Sequence, residues 1–252
     1  MNIEKIGRGL RVVAFEGATP FYLLNATAEA EPAHDWYRNF CLSIARHRGL
    51  DDHEDHLHAG TFRATLNPGE SVTIVLSTES APELDGDAAW RARRAHEEEL
   101  LEKWQAANAG VAAKTPGWIQ QLVLAADQFI VRRPLHDDPA ARSVIAGYHW
   151  FGDWGRDTMI SLPGLTLTTG RPEIARSILR TFARFVDRGM LPNVFPDAGE
   201  TPEYNTVDAA LWYFEAVRQY WEATGDDALL RELYPVLAEM VDWHVQIGRA
   251  HV

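Results

Sequence analysis

The hydrophobic pattern changes its period along the chain, and this change limits the folds that the chain can adopt. Over the first eighty residues, apolar and polar side chains alternate in short runs such as Thr61–Leu66 and Ser71–Ser77. A period of two is typical of antiparallel strands with one solvated face. From Thr115 onward, apolar residues recur at helical spacing. We therefore expect an α+β chain of more than one domain.

The β-rich part is expected to cover residues 1–80 and to form an antiparallel sheet with one solvated face, as in a β-sandwich. Leu10–Phe15 and Phe21–Leu24 are short β-rich runs. Asn67–Glu70, which reads Asn-Pro-Gly-Glu, separates the two alternating runs and supplies turn residues. The pattern predicts that these two runs form a β-hairpin.

Residues 81–114 are expected to link the two parts. Asp87–Ala107 is rich in Ala, Glu, Arg and Leu, a composition that favours a charged and largely exposed helix. Residues 115–246 are then expected to contain only helices and loops. The expected order is a helix from Pro116 to before Pro134, a loop Leu135–Trp150, a helix Trp154–Thr169 kinked at Pro163, a helix Pro172–Arg188, a loop Gly189–Tyr204, a helix from Asn205 to Gly225, and a helix capped by Asp226.

The two long loops of this region precede the second and the fourth helix. Consecutive antiparallel helices alternate in direction, so every second helix begins at the same end of a bundle or toroid of helical hairpins. The loops also hold most of the unusual polar and aromatic residues. We therefore expect both loops to meet at one rim, where they carry the function.

Composition excludes several classes of protein. The net charge of −12 over 252 residues argues against a nucleic-acid partner. No run approaches eighteen apolar residues, so no membrane span is expected, and the N-terminus shows no signal-peptide pattern. A single cysteine, Cys41, fits a reducing compartment, and we expect a cytoplasmic protein.

The first loop carries a cluster that suits a sugar ring. Trp150 and Trp154 can cover the apolar face of a pyranose, and the neighbouring Asp153 adds a carboxylate. Arg156 donates in a rigid fork and Asp157 accepts at two oxygens, so the pair can hold vicinal hydroxyls. The alternative is an Arg–Asp ion pair that caps a helix beside aromatic residues that only pack.

The second loop ends in another candidate cluster, which contains Asn193, Tyr204, Asn205, Asp208 and Trp212. Asp208 is placed in the first turn of a helix, where the helix dipole alone favours an acidic residue. Burial or a second carboxylate would be needed for a carboxyl to donate a proton near neutral pH, and the sequence indicates neither.

No cofactor or metal is expected. His53–His58 combines histidines with carboxylates, but its spacing is not His-Glu-x-x-His, and we interpret it as a solvated loop. The chain contains no Gly-rich phosphate loop, no Gly-x-Ser-x-Gly and no Cys–His arrangement.

Three longer motifs resemble the glucosidase domain of glycogen debranching enzymes, the amylo-α-1,6-glucosidase family: Gly147–Leu165, Leu191–Phe195 and Tyr204–Trp212. The Trp-Gly-Arg-Asp core also resembles the Trp-Thr-Arg-Asp motif of glucoamylases. Weaker motifs upstream resemble the end of the β-sandwich domain of bacterial members: Asp35–Phe40, Arg48–Asp51 and Leu66–Glu70.

The resemblance implies a partial β-sandwich followed by a partial (α/α)6 toroid, and hydrolysis of α-1,6-linked glucose in glycogen or a related α-glucan with inversion. It implies that Asp208 is the general acid and that Arg156 and Asp157 hold the glucose hydroxyls. Further substrate-binding residues are expected among the candidates named above: Trp150, Asp153, Trp154, Asn193, Tyr204, Asn205 and Trp212.

Inversion also requires a carboxylate base, which in the family lies much later in the chain. We therefore expect little or no activity from these 252 residues alone. Residues 247–252 match what a sequencing adapter would encode, and we expect a non-native tail there. Two alternatives stay open at this point: a non-catalytic α-glucan-binding module, and a glucoamylase-like or trehalase-like hydrolase with another linkage preference.

Overall fold

The computed structural model of the protein describes residues 1–148, 151–195 and 201–250. The chain divides into two compact units, Met1–Arg94 and Ala95–Val252. Strands predominate in the first unit and helices in the second, which confirms the expected α+β character. The boundary falls inside a long helix, α2 (Gly86–Ala107), which was predicted from its composition.

The first unit contains a four-stranded antiparallel sheet in the order β1-β2-β3-β6. Its strands are β1 (Asn2–Ile6), β2 (Gly9–Val13), β3 (Phe21–Asn25) and β6 (Ile74–Ser77). β4 (Glu29–Cys41) and β5 (His53–Arg63) form a separate two-stranded ribbon, joined through a short helix, α1 (Ser43–His47). Leu10 and Leu24 are among the few apolar side chains that this unit buries.

The predicted hairpin across Asn67–Glu70 is wrong. β6 pairs with β3, with Leu76 opposite Leu23, and β5 pairs with β4 instead. The alternating pattern correctly indicated residues that form strands. It does not determine which strands pair, because any neighbouring strand with a matching apolar face is compatible with the pattern. Asn25 helps to fix the observed pairing, since its buried side-chain amide donates to the carbonyl oxygen of Thr73 just before β6.

The segment His53–His58, which was interpreted as a loop, lies in β5. Its histidines make local contacts with neighbouring polar groups: His53 with Asp52, His56 with Glu54, and His58 with Thr61. The residues that the structure describes include no group of three or more potential ligands placed to hold a metal ion.

The second unit is helical, with one sheet that was not predicted. After α2 come a 3₁₀ turn (Ala112–Lys114), α3 (Trp118–Gln128), α4 (Gly155–Leu162), a π-helical segment (Pro163–Leu167), α5 (Pro172–Ala183), α6 (Asp208–Thr224) and α7 (Asp227–Ala250). The three-stranded antiparallel sheet comprises β7 (Ile130–Arg132), β8 (Arg142–Gly147) and β9 (Phe151–Asp153). The prediction of a plain loop over Leu135–Trp150 is therefore wrong, because these short strands have no clear alternation.

Several helix boundaries follow the predicted signals. The π-helical segment begins at Pro163, where a kink was expected, since proline has no N–H to continue the helical bonding. Gly225 ends α6 with φ of 65°, a conformation that glycine adopts without strain. Asp226 accepts the N–H of Leu229 at 3.0 Å and so caps α7, as predicted. α5 ends at Ala183, five residues before the predicted end.

α4, α5, α6 and α7 bury one shared apolar core that includes Phe182, Leu179, Tyr213 and Met240. Tyr213 is fully buried, and its hydroxyl donates to the carbonyl oxygen of Leu179 at 2.9 Å. This contact satisfies the polar end of the ring and ties α6 to α5. The core thereby holds the first turns of α4 and α6 in fixed positions. No helix within the described residues is long and apolar enough to cross a membrane.

Candidate active site at two helix entrances

The two loops that precede α4 and α6 meet, as their positions in the sequence predicted. Val194 forms isolated antiparallel bridges with Trp154 on one side and with Glu203 on the other. The N–H of Gly155 donates to the carbonyl oxygen of Asn193 at 2.9 Å. The N–H of Asn193 in turn donates to the carbonyl oxygen of Glu203 at 2.7 Å. Backbone hydrogen bonds therefore join the start of α4 to the segment that leads into α6.

Gly155 makes this close approach possible. A Cβ atom at this position would overlap the carbonyl oxygen of Pro192 and would touch the ring of Phe182. The glycine in the Trp-Gly-Arg-Asp motif therefore has a packing reason, because the second loop crosses directly over the backbone of α4.

Arg156 and Asp208 form an ion pair between the two helix entrances. Arg156 Nη2 donates to Asp208 Oδ1 at 2.9 Å. The side chains keep 44% and 40% of their surface exposed, so the pair is open to solvent and to a ligand. The residues are 52 positions apart in the chain, and only the meeting of the loops brings them together.

Asp157 faces a different space from that of its neighbour. It lines an open cleft of about 350 Å³ whose other walls are mostly apolar and come from β8, α4, the π-helical segment and the residue after α3, including Phe129, Ile145 and Ile160. Consecutive residues of a helix point about 100° apart, which explains the divergence. The structure therefore brings Arg156 to Asp208 and places Asp157 beside a separate apolar cleft.

Asp153 and Asn193 lie beneath the entrance rather than on its surface. Asp153 is buried and pairs with Arg133 across 2.9 Å, and the guanidinium of Arg133 lies 4.6 Å from the ring centroid of Phe195. Asn193 is also buried, and its side-chain amide donates to Asn205 Oδ1 at 2.9 Å. Among the residues that the structure describes, Asn193 Oδ1 has no hydrogen-bond partner.

The candidate aromatic residues have different environments. Trp154 is half-buried and meets the ring of Phe151 edge-on at 5.7 Å. The Tyr204 hydroxyl donates to the carbonyl oxygen of Phe185 at 2.7 Å, and burial raises its pKa. Trp212 is 40% exposed and lies one turn after Asp208 on α6. Trp150 lies outside the described residues.

The entrance thus offers a guanidinium, a carboxylate and an exposed indole. A guanidinium donates to hydroxyl oxygens, a carboxylate accepts from hydroxyls, and an indole covers apolar C–H groups. This combination of groups suits a neutral polyol such as a sugar ring.

Comparisons with known proteins decide the family. The family model described as amylo-alpha-1,6-glucosidase matches residues 124–251, which are half of the chain. The chain belongs to the amylo-alpha-1,6-glucosidase family. A second family model, described as glycogen debranching enzyme N terminal, matches residues 2–73. The first match lies within the helical unit and the second within the β-rich unit.

One curated relative has a name that agrees with this family. The glycogen debranching enzyme of Saccharomyces cerevisiae is 46% identical over 67 residues, which are 27% of this chain. The matched part is 4% of the yeast protein, so the chain spans only a small share of this relative's length. Membership of the amylo-alpha-1,6-glucosidase family agrees with the resemblance found in the sequence motifs.

The sequence motifs did not reveal the role of Arg133. It lies just after β7 and holds Asp153 from below, yet it belongs to none of the motifs. The available signal was a pair of arginines, Arg132 and Arg133, directly after the β-branched Ile130 and Val131, a pattern that is typical of strand ends as well as of sites.

Proposed function

We propose that this chain carries the first part of the active site of a glycoside hydrolase that releases glucose from α-1,6 branch points of an α-glucan. The pair of Arg156 and Asp208 is the observation that supports the proposal most strongly. It joins the entrances of two helices inside the segment that matches the amylo-alpha-1,6-glucosidase model, and it stays open to solvent. An ion pair with only a structural role would not need to stay accessible to a ligand, and it could have been buried instead.

In the proposed reaction, Asp208 is the general acid. Its proton goes to the glycosidic oxygen as the bond from that oxygen to the anomeric carbon breaks, and water adds to the anomeric carbon from the opposite face. A base removes a proton from that water, so the configuration inverts. Arg156 holds hydroxyls of the glucose, and Trp154, Tyr204 and Trp212 line its pocket together with Trp150. Asp157, which lines the apolar cleft on the other side of the start of α4, is proposed to hold a further hydroxyl from that side.

Binding of glucose must then rearrange the ion pair. Arg156 donates to Asp208 Oδ1, so the guanidinium occupies a carboxyl oxygen that general acid catalysis needs. We expect a glucose hydroxyl to take over the donors of Arg156, which releases Asp208 Oδ1 for the glycosidic oxygen. Asp153, Asn193 and Asn205 support the loops from below or beside them, through the contacts described above.

The catalytic base is proposed to lie outside these 252 residues, so that the isolated chain binds glucan but turns it over slowly or not at all. Residues 1–80 are proposed to be part of a β-sandwich, and residues 115–246 to be part of an inverting (α/α)6 toroid, joined by the linker 81–114. The cytoplasmic location and the non-native origin of residues 247–252 stay predictions, and genomic DNA beyond Gln246 decides the latter.

The decisive experiment replaces Asp208 by Asn in the intact protein that contains this chain. Loss of general acid catalysis is expected to lower kcat on an α-1,6-branched limit dextrin by about 10²–10⁴-fold, with KM changed little. Asp226→Asn is the matched control, since Asp226 caps α7 and Asn also caps helices well. Turnover of the Asp208→Asn variant within threefold of the wild type would show that the acid is misassigned.

Two further measurements separate the alternatives. Product analysis on α-1,6-linked and α-1,4-linked substrates distinguishes a debranching glucosidase from a glucoamylase-like enzyme. Glucan binding without hydrolysis by the intact protein would instead identify a binding module. Measurable release of glucose by the 252-residue chain alone would contradict the proposed position of the base.

A further inference from the structure

A polar cleft, distinct from the apolar cleft beside Asp157, lies within the helical unit and away from the two helix entrances. It has a volume of about 470 Å³ and is walled by α2, the end of α3, the strands β7 and β8, and the start of α5. Lys103, Arg132, Arg142 and Arg171 supply four permanent cations, against three carboxylates. A basic surplus is unexpected in a chain whose net charge is −12.

Each carboxylate of this cleft is already paired with a cation of the protein. Asp127 accepts from buried Arg171 and contacts His96 Nε2 at 2.7 Å. The other two, Glu99 and Glu173, lie 2.8 Å and 3.9 Å from Lys103 Nζ. These contacts leave Arg132 and Arg142 without a carboxylate in the cleft.

Arg132 and Arg142 lie directly opposite each other in the antiparallel pair of β7 and β8. Residues in this register share one face of the sheet, with Cβ atoms roughly 5 Å apart, and like charges in this position repel. Arg142 Nη1 donates to the carbonyl oxygen of Ala140 at 3.2 Å, and Arg132 has no ion pair within the part of the chain that the structure describes. Both side chains line the cleft, so an anion held between them would remove the repulsion.

The walls of the cleft are held in place before any ligand arrives. Arg171 donates to Thr169 Oγ1 at 3.1 Å and to the carbonyl oxygen of Leu165 at 2.9 Å, besides its bond to Asp127. α2 lies so close to the segment after the π-helical turn that a Cβ at Gly170 would collide with the carbonyl oxygen of Lys103. Binding of a ligand would therefore require little further ordering of these walls, so the entropic cost of binding is small.

We propose that Arg132 and Arg142 form a binding site for a phosphate group, either as inorganic phosphate or as the phosphate monoester of a sugar. Two guanidinium groups offer the planar pairs of N–H donors that phosphate oxygens accept. The cleft is large enough for a monosaccharide beside the phosphate, and its remaining polar wall suits sugar hydroxyls. The site is separate from the pair of Arg156 and Asp208, so its test does not depend on glucan hydrolysis.

The test titrates inorganic phosphate, glucose 1-phosphate and glucose into the 252-residue chain by calorimetry, in 0.1 M chloride to screen unspecific binding. We expect saturable binding of both phosphates, and we expect any binding of glucose, which belongs to the proposed glucan site, to be unchanged by added phosphate. Tighter binding of glucose 1-phosphate than of phosphate by tenfold or more identifies a sugar phosphate as the ligand, and equal binding identifies free phosphate. Absence of saturable phosphate binding would overturn the proposal.

Variants then locate the site. Arg132→Gln and Arg142→Gln are each expected to weaken phosphate binding at least tenfold, whereas Arg132→Lys keeps the charge and loses less. Arg231→Gln is the matched control, because Arg231 is 81% exposed on α7 and lies outside the cleft. Wild-type affinity in the Arg132→Gln, Arg142→Gln double variant would also overturn the proposal.

A melting experiment keeps the result independent of folding defects. In phosphate-free buffer, Arg132→Gln is expected to melt no lower than the wild type, because one of two repelling charges is gone. Added phosphate is then expected to raise the Tm of the wild type and not that of the variant. A lower Tm of the variant in phosphate-free buffer would contradict the proposed repulsion. A rise in the variant's Tm with phosphate equal to that of the wild type would contradict the proposed site.

Discussion

Several Arg–Asp pairs of the helical unit join distant parts of the chain, and two of them have sharply different environments. The side chain of Arg171 is 4% exposed in its pair with Asp127, whereas that of Arg156 is 44% exposed in its pair with Asp208. Arg171 also donates to a hydroxyl and to a backbone carbonyl, so protein groups take up most of its donors. Within the part of the chain that the structure describes, Arg156 pairs with Asp208 alone.

This difference distinguishes a structural ion pair from one that is available to a ligand. A buried pair whose remaining donors are satisfied has nothing to offer a substrate, and breaking it leaves an uncompensated charge. An exposed pair contributes little to stability and keeps free donors and acceptors. The comparison therefore favours the proposed functional role of Arg156 and Asp208 and a stabilising role for Arg171 and Asp127.

The largest effect is expected from Arg171→Leu. This change leaves Asp127 partly buried beside one imidazole and removes two further hydrogen bonds, so the free energy of unfolding should fall by about 3–5 kcal/mol. Urea unfolding of the 252-residue chain measures it. The double variant Arg171→Leu, Asp127→Leu should recover much of the loss, and a fall below about 1 kcal/mol in the single variant would contradict the structural role of this pair.

Arg156→Gln should give a smaller effect, and on ligand binding rather than on stability. The exposed pair contributes less than about 1 kcal/mol to folding, so urea unfolding should change little. Loss of the guanidinium should weaken the binding of isomaltotriose to the chain by about tenfold or more, which is roughly 1.4 kcal/mol. Arg231→Gln is the control, and unchanged sugar binding in Arg156→Gln would remove this residue from the proposed site.

A pH dependence of stability should separate the two pairs further. Burial acts to raise the pKa of Asp127, but the hydrogen bond from His96 and the charge and hydrogen bond of Arg171 outweigh it, so its pKa lies below 3.8. A carboxyl with a lowered folded-state pKa stabilises the fold above its unfolded-state pKa, and this stabilisation is lost as the pH falls through the folded-state pKa.

The stability difference between the wild type and Asp127→Asn should therefore be largest above about pH 4 and should shrink below it. Urea unfolding at a series of pH values from 6 down to the acid limit of folding measures this difference. A difference that stays constant with pH would mean that Asp127 does not act through its charge.

The smallest effect is expected from Arg218→Ala on α6. Arg218 pairs with Glu215 and Glu222 on the same helix, and half of its side chain is exposed. Such local exposed pairs add little, so the Tm should stay within about 2 °C of the wild type. A larger fall would show that exposure is a poor guide to the cost of losing an ion pair in this unit, and it would weaken the comparison.

Much of the helical unit could be predicted from the sequence. The start of α5 at Pro172, the end of α6 at Gly225 and the cap of α7 by Asp226 all follow from local chemistry. The meeting of the two loops also followed, because alternate helices of an antiparallel array begin at the same end. The residues of the candidate site were named from motifs, and their roles stay predictions.

The sheets could not be predicted in the same way. β7, β8 and β9 are three to six residues long, and their apolar residues show no lasting alternation. β6 pairs with β3 and not with β5, the strand that precedes it in the chain and was predicted to be its partner. Strand pairing is set by contacts between residues far apart in the chain, for which a local pattern carries little information.

The helices, their caps and the two loop clusters could be read from the amino-acid sequence, because these depend on residues within one or two turns of each other. Which charged side chains meet became known only from the packing of distant segments. Arg156 reaches Asp208 across 52 positions, and Arg132 faces Arg142 across a strand pair. Whether an arginine stabilises the fold or faces a ligand depends on its burial and its partners, and both arise only when distant segments pack together.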